Sequence, residues 1–140
     1  MVWAGHIPGE SLFDAIENFL FEKNLYEIKD KMKKIDEWRS IPANIVMADR
    51  KGNIGYMLLS SSPKRKNEYP YLGCRIIDGK TSENDWEGLV KFKNLPISLN
   101  PKKGYYITAN NRIVPDSSRY DIGATMLSTG RSLRLQEIIE

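Results

Sequence analysis

Two adjacent asparagines, Asn110 and Asn111, are the first side chains in this sequence with the type and setting for chemistry. They follow the stretch "GYYIT" at 104–108, whose aromatic and β-branched residues predict a strand. Two amides after an apolar strand either form a turn, which asparagine favours, or present hydrogen-bond donors that point in a fixed direction. The residues alone leave both interpretations open.

The usual side chains of nucleophilic catalysis are nearly absent. His6 is the single histidine and Cys74 the single cysteine of the 140 residues. With one histidine and no typical nucleophile motif around it, the sequence argues against a Ser-His-Asp or Cys-His site. One cysteine also excludes an intrachain disulfide and a cysteine-based metal site, so we expect Cys74 to be a small buried residue.

Composition narrows the class of protein further. The chain is 41% hydrophobic with a formal net charge of +3, which is typical of one globular domain with its own core. The charge is too small to indicate nucleic acid as a partner, and the short basic runs at 29–34 and 64–66 are typical of solvated faces. No apolar run is long enough to span a bilayer, and we recognise no signal peptide, so the compartment stays unknown.

The elements that would position the asparagines begin with a pair of helices. Ser11 and Asp14 form a capping-box pattern, and apolar residues then recur every three or four positions. The pattern breaks at Lys23 and resumes as a second helix that ends before Pro42. Its predicted buried stripe consists of Leu25, Ile28, Met32 and Ile35.

Strands follow the helices. The runs at 44–49 and 53–60 predict a hairpin, since the loop between them, 50–52, ends in a glycine. The stretch 61–85 is rich in lysine, proline, glycine, serine and asparagine and is predicted to be a long irregular segment. A last helix is predicted from about residue 130, with its buried face formed by Leu133, Ile138 and Ile139. The fold class is therefore α+β.

Five sequence motifs in a fixed order carry a resemblance to a known family. They are "ADRKGNIGY" (48–56), "PKR" (63–65), "DGKTSENDWEG" (78–88), "NPKKGYYITANN" (100–111) and "GRSLRL" (130–135). This series resembles the penicillin acylase (penicillin amidase) family of N-terminal nucleophile hydrolases, and "WAG" at 3–5 extends the likeness over nearly the whole chain. The resemblance implies one partial domain, 1–140, that forms an internal segment of a catalytic chain with a four-layer αββα fold.

The resemblance also implies a mechanism. In that family an N-terminal serine attacks a linear amide, its own α-amino group acts as the base, and an acyl-enzyme forms. The family's oxyanion donor corresponds to Asn110, and its supporting arginine corresponds to Arg134, with Arg131 one turn away as the competing choice. Asn111 is expected to brace the turn. The family can bind a structural calcium ion near Asp121, but the loop lengths match poorly, so no metal or other cofactor is predicted.

The nucleophile is not recognisable in this chain, because Ser11 and Ser40 are internal and have no base beside them. The chain is therefore interpreted as a piece of an amidohydrolase whose partner is a nucleophile-bearing chain or segment, within a larger assembly. Departures from the family at Ser60 and at 119–131 favour an alternative, a catalytically inactive structural or interaction subunit. A third interpretation is an unrelated α+β binding domain.

Overall fold

The computed structural model describes residues 7, 16, 17, 19, 21–39, 42–66, 76, 78–114, 118, 122 and 130–140. Helices and antiparallel strands both occur, which confirms the predicted α+β class. The elements, in chain order, are α1 (Leu25–Met32), β1 (Ala43–Ala48), β2 (Ile54–Leu59), β3 (Pro63–Arg65), β4 (Trp86–Leu89), a 3₁₀ helix (Phe92–Asn94), β5 (Ile97–Leu99) and α2 (Gly130–Ile139). None of the helices in these ranges is long and apolar enough to cross a membrane.

The chain divides into two compact units. The first contains Met1–Ser62 and Leu89–Tyr106, and the second contains Pro63–Gly88 and Ile107–Glu140. The candidate site residues Asn110, Arg131 and Arg134 all belong to the second unit. That residues 1–140 form one partial domain stays a prediction.

The predicted hairpin is confirmed in the first unit. Strands β1 and β2 pair antiparallel from Ala43 opposite Leu59 to Ala48 opposite Ile54. Gly52 closes the loop with φ at +83°, a left-handed conformation that glycine adopts without a steric penalty.

Asp49 holds the same hairpin loop together. Its carboxylate accepts hydrogen bonds from the backbone N–H groups of Lys51 (2.9 Å) and Asn53 (3.0 Å), and from the Asn53 side chain (2.8 Å). It also accepts a bond from the N–H of Leu25 at 3.3 Å, which ties the loop to the start of α1. These bonds, led by that of the Asn53 amide, hold the pKa of Asp49 below its usual value.

Strand β2 is the centre of the three-stranded sheet β1-β2-β5. Residues 55–59 are all buried, whereas β1 alternates between half-buried and exposed positions. Gly55 lies opposite both Met47 on β1 and Leu99 on β5. A central strand covered on both faces explains why this run is apolar without alternation.

The second predicted helix is confirmed as α1, which is capped by Asn24. The Asn24 side chain accepts from the N–H groups of residues 26 and 27, as expected of an N-cap. Leu25, Ile28 and Met32 are buried as predicted, while Ile35 lies beyond the helix end. Of the earlier predicted helix, Ile16, Glu17 and Phe19 are described and helical, and the capping pair Ser11 and Asp14 lies outside the described residues.

Three expectations about the second half of the chain were wrong or incomplete. Residues 105–108 lie outside the strands, because β propensity yields a strand only where a ladder partner is in place. The apolar side chains of α2 are exposed rather than buried, since no described element covers that helix face: Leu133 is 54% exposed, Ile138 64% and Ile139 50%. Strands β3 and β4 form a two-stranded sheet within and just after the stretch predicted to be irregular.

Candidate functional site

Asn110 lies on an exposed turn of the second unit. Its φ is +60°, in the left-handed region that few residues other than glycine and asparagine adopt. The preceding residue, Ala109, is buried with 8% of its surface exposed, so the turn rises directly from packed protein.

Helix α2 brings an arginine to this side chain. Arg131 lies in the first turn of the helix, and its Nη2 donates a hydrogen bond of 2.6 Å to Asn110 Oδ1. An amide has one acceptor oxygen and one NH₂ group, so this bond fixes which end of the amide faces the arginine. Among the described residues, none accepts a hydrogen bond from Asn110 Nδ2.

Arg134 is placed differently from what the family motif suggested. Its Nη1 donates to Glu137 Oε2 at 2.9 Å in an exposed pair three residues apart on α2. The two side chains are 71% and 63% exposed, and such surface pairs contribute little to stability. Of the two arginines, the structure brings Arg131, not Arg134, to the Asn110 side chain.

Asn111 braces the turn, as the sequence predicted. Its Oδ1 accepts a 2.8 Å hydrogen bond from the N–H of Ala109, and its Nδ2 donates to the carbonyl of Arg112 at 3.3 Å. The side chain is half-buried. The two interpretations of the asparagine pair therefore apply to different residues: Asn111 stabilises the turn, and Asn110 presents an amide.

The arrangement suits the stabilisation of negative charge. A neutral amide donor, with its oxygen held by a guanidinium, points a partial positive charge in a fixed direction without titrating near neutral pH. The positive charge of the guanidinium adds to the local potential. An oxygen that becomes negative during a reaction would be favoured beside this pair.

The described part of the chain offers no set of three or more His, Cys, Asp or Glu side chains that could hold a metal ion. Asp121, the residue that the family resemblance places near a calcium ion, lies outside the described residues, as do His6, Cys74 and Ser40.

The sequence placed the supporting role on Arg134, with Arg131 as the competing choice, whereas the hydrogen bond to Asn110 comes from Arg131. Both arginines lie within one helical turn, and the motif "GRSLR" does not distinguish them. The available signal was position within the helix, because a first-turn residue lies nearest to whatever precedes the helix N-terminus. Arg131 is the second residue of α2, and Arg134 is the fifth.

Comparison with known proteins gives one family throughout. The family model described as penicillin amidase matches residues 1–140. The penicillin acylase 2 proenzyme of Pseudomonas sp. (strain SE83) is 33% identical over 79 residues, which cover 56% of this chain and 10% of that protein. The penicillin G acylase of Escherichia coli is 31% identical over 100 residues, 67% of this chain and 12% of that protein.

Two further relatives extend the match. An acyl-homoserine lactone acylase QuiP of Pseudomonas fluorescens (strain Pf0-1) is 26% identical over 125 residues, 89% of this chain and 14% of that protein. A solved structure of the thermostable penicillin G acylase from Alcaligenes faecalis superposes with a TM-score of 0.67 at 27% identity, covering 89% of this chain and 21% of that chain. The matched part of the chain thus covers only 10–21% of the length of these relatives.

Proposed function

Because the chain belongs to the penicillin amidase family, we propose that it supplies the oxyanion-stabilising segment of an amidohydrolase that cleaves linear amide C–N bonds. The attacking group is an N-terminal serine outside these 140 residues, on another segment or another chain of the same family fold. The observation that carries the proposal is the amide of Asn110, whose oxygen is held by Arg131 at 2.6 Å and whose nitrogen donates to no residue in the described ranges.

In the proposed reaction the serine hydroxyl oxygen attacks the substrate carbonyl carbon while the serine α-amino group accepts the hydroxyl proton. An α-amino group titrates near pH 8, so it is an effective base at neutral pH. The carbonyl oxygen becomes negative in the tetrahedral intermediate and accepts a hydrogen bond from Asn110 Nδ2. Collapse expels the amine, which takes the proton from the α-amino group, and water then hydrolyses the acyl-enzyme.

Asn110 acts in this proposal through preorganisation. A donor already fixed at the position of the developing charge needs no reorganisation when the reaction occurs, and losing one such donor typically costs ~2.7–4 kcal/mol of transition-state stabilisation. The left-handed φ of +60° and the Arg131 contact restrict the backbone and the side chain respectively.

Arg131 takes the supporting role that the family motif had suggested for Arg134. Its hydrogen bond turns the Asn110 amide so that the donor faces away from the guanidinium, and its charge lies behind the amide oxygen. Polarisation of the amide by a cation on its oxygen makes the Nδ2 hydrogens better donors. Arg134, held by Glu137, has no such contact.

A second function is favoured by a different observation. Helix α2 has no buried residue, and it exposes the apolar side chains of Leu133, Leu135, Ile138 and Ile139. Exposed apolar residues grouped on one helix are typical of an interaction surface. In this alternative the chain is an inactive structural subunit that associates with other family segments in a larger complex.

The experiment begins with purification from the source, followed by mass spectrometry of the chains that co-purify. A partner or longer form with a processed N-terminal serine is expected. The preparation is then assayed with N-acyl amides of the kinds named by its relatives, a penicillin and an acyl-homoserine lactone. Asn110→Ala should slow hydrolysis by about 100-fold or more. An active preparation in which this variant keeps the wild-type rate would contradict the oxyanion assignment, and a complex with no hydrolytic activity would favour the structural subunit.

Arg131→Ala and Arg134→Ala form a matched pair for the supporting role, since the two lie on the same helix three residues apart. We expect kcat to fall by about 10-fold or more in Arg131→Ala, because the amide loses a charge-assisted hydrogen bond of ~1.5–3 kcal/mol. Arg134→Ala should change kcat less than two-fold. A larger loss in Arg134→Ala than in Arg131→Ala would return the role to Arg134.

A further inference from the structure

We infer that Asn111 is a positioning residue for Asn110, holding the backbone that aims the proposed oxyanion donor. The inference rests on the proposed function and adds a residue to it. Asn110 has a φ of +60°, a conformation that asparagine tolerates better than most residues but that is less favourable than the ordinary regions, so contacts around the turn help to hold it. The question is which contacts hold the turn.

The Asn111 side chain bonds to the backbone on both sides of Asn110. Its Oδ1 accepts from the N–H of Ala109 at 2.8 Å, one residue before Asn110. Its Nδ2 donates to the carbonyl of Arg112 at 3.3 Å, two residues after Asn110. The shorter of these bonds reaches a residue that is only 8% exposed, so it anchors the turn to packed protein.

The contacts of Asn111 and Arg131 act on different degrees of freedom. Arg131 bonds the amide oxygen of Asn110 and restricts the side-chain torsions, whereas Asn111 restricts the main chain that carries this side chain. A guanidinium on an exposed helix can follow a displaced amide, so the Arg131 bond alone does not fix where Nδ2 lies. The main-chain brace is therefore needed to place the donor, and a displacement of about 1 Å at a reacting group can slow a reaction by about 100-fold.

If Asn111 acts on the main chain of Asn110, the effects of mutating the two asparagines should not be independent. If Asn111 acts only by placing Asn110, then its loss matters only while the Asn110 amide is present. Two independent residues would instead show losses that multiply.

The test is a double-mutant cycle in the purified, active protein that carries this segment. Asn111→Ala should lower kcat by about 10-fold or more with KM changed less than three-fold, because the donor acts on the transition state. Asn110→Ala/Asn111→Ala should be no slower than Asn110→Ala alone. Asn94→Ala, at an exposed asparagine that ends the 3₁₀ helix, is the matched control and should leave kcat unchanged.

Two results would overturn the inference while leaving the proposed function intact. One is a wild-type kcat in Asn111→Ala together with a slow Asn110→Ala. The other is a double variant slower than Asn110→Ala by the full Asn111→Ala factor. A wild-type rate in Asn110→Ala would instead contradict the proposed function and this inference with it. If Asn111→Ala does not fold, Asn111→Gln replaces it, since it keeps both polar groups but displaces them by one methylene; a wild-type kcat in that variant would refute the positioning role.

Discussion

Gly55 offers a direct test of how the sheet is packed, because it lies at the point where three elements meet. A Cβ atom at this position would lie 2.8 Å from Leu99 Cδ2, 3.1 Å from Leu25 Cδ1 and 3.4 Å from Met47 Cε. These atoms belong to β5, α1 and β1, so the glycine allows both neighbouring strands and the helix to approach β2 closely. Gly55→Ala is therefore the informative perturbation.

The change in the free energy of unfolding on Gly55→Ala is the balance of a packing cost and an entropy gain. Adding one methyl group to a well-packed core costs typically ~1–3 kcal/mol, and the contact with Leu99 is shorter than real Cβ contacts. Replacing a glycine within a strand regains roughly 0.5–1 kcal/mol of backbone entropy. The neighbouring atoms are the ends of flexible side chains and can shift, so we expect a net loss of about 1 kcal/mol.

The assay is the free energy of unfolding, obtained from urea titrations or from the melting temperature of the full expressed protein. A loss of about 1 kcal/mol corresponds to a Tm lower by roughly 3–5 °C in a domain of this size. Gly79→Ala is the matched control, since no atom lies within 4 Å of the added Cβ, and it should be neutral or slightly stabilising. A Gly55→Ala variant as stable as wild type, with the control behaving as expected, would refute the close approach of the three elements.

Two further predictions concern residues that stabilise the same sheet. Asn100 has a φ of +47°, and its side chain accepts a hydrogen bond from the N–H of Ile54 at 3.0 Å. Asn100→Ala should lower the free energy of unfolding by about 2 kcal/mol, and Asn100→Gly by only about 1 kcal/mol. Both variants lose the hydrogen bond, but glycine adopts the left-handed conformation without the steric cost that alanine has. An equal loss in both variants, measured by urea unfolding, would mean that backbone conformation contributes nothing. The pKa of Asp49 is lower in the folded protein than its ordinary value of 3.8, so the ionised carboxylate stabilises the fold. This stabilisation is fully present above pH 3.8 and is lost as the pH falls through the lowered pKa. Urea midpoints between about pH 6 and pH 2.5 should therefore fall more steeply in wild type than in Asp49→Asn, and parallel curves would contradict the role given to the carboxylate.

The parts of the fold that the sequence predicted are those with strong local signals. The β1–β2 hairpin combines two apolar runs with a glycine turn, and α1 has a regular apolar stripe. The order of motifs predicted the family, which the match over residues 1–140 confirms. The interpretation as an unrelated binding domain was therefore wrong.

The parts that the sequence missed depend on partners rather than on local pattern. Strands β3 and β4 have three and four residues, too few for alternation to be recognised in a stretch rich in lysine, serine and glycine. Their contact includes a 2.7 Å ion pair between Lys64 and Glu87, which lie 23 positions apart. Conversely, residues 105–108 have the composition of a strand but lie outside every ladder in the described ranges. Pairing over such distances cannot be read from either segment alone.

The sequence alone also could not distinguish which of the two arginines contacts Asn110. Residues three apart on a helix lie on nearly the same face, so spacing alone makes Arg131 and Arg134 equivalent candidates. They differ by about 4.5 Å along the helix axis, since each residue rises 1.5 Å. That distance decides the contact, because the first-turn arginine reaches Asn110 Oδ1 while the second reaches Glu137 one turn further on. The choice between them depends on the position of the Asn110 amide, which lies more than 20 residues earlier in the chain. That position depends in part on the left-handed φ of Asn110, which cannot be predicted from the residues around either arginine.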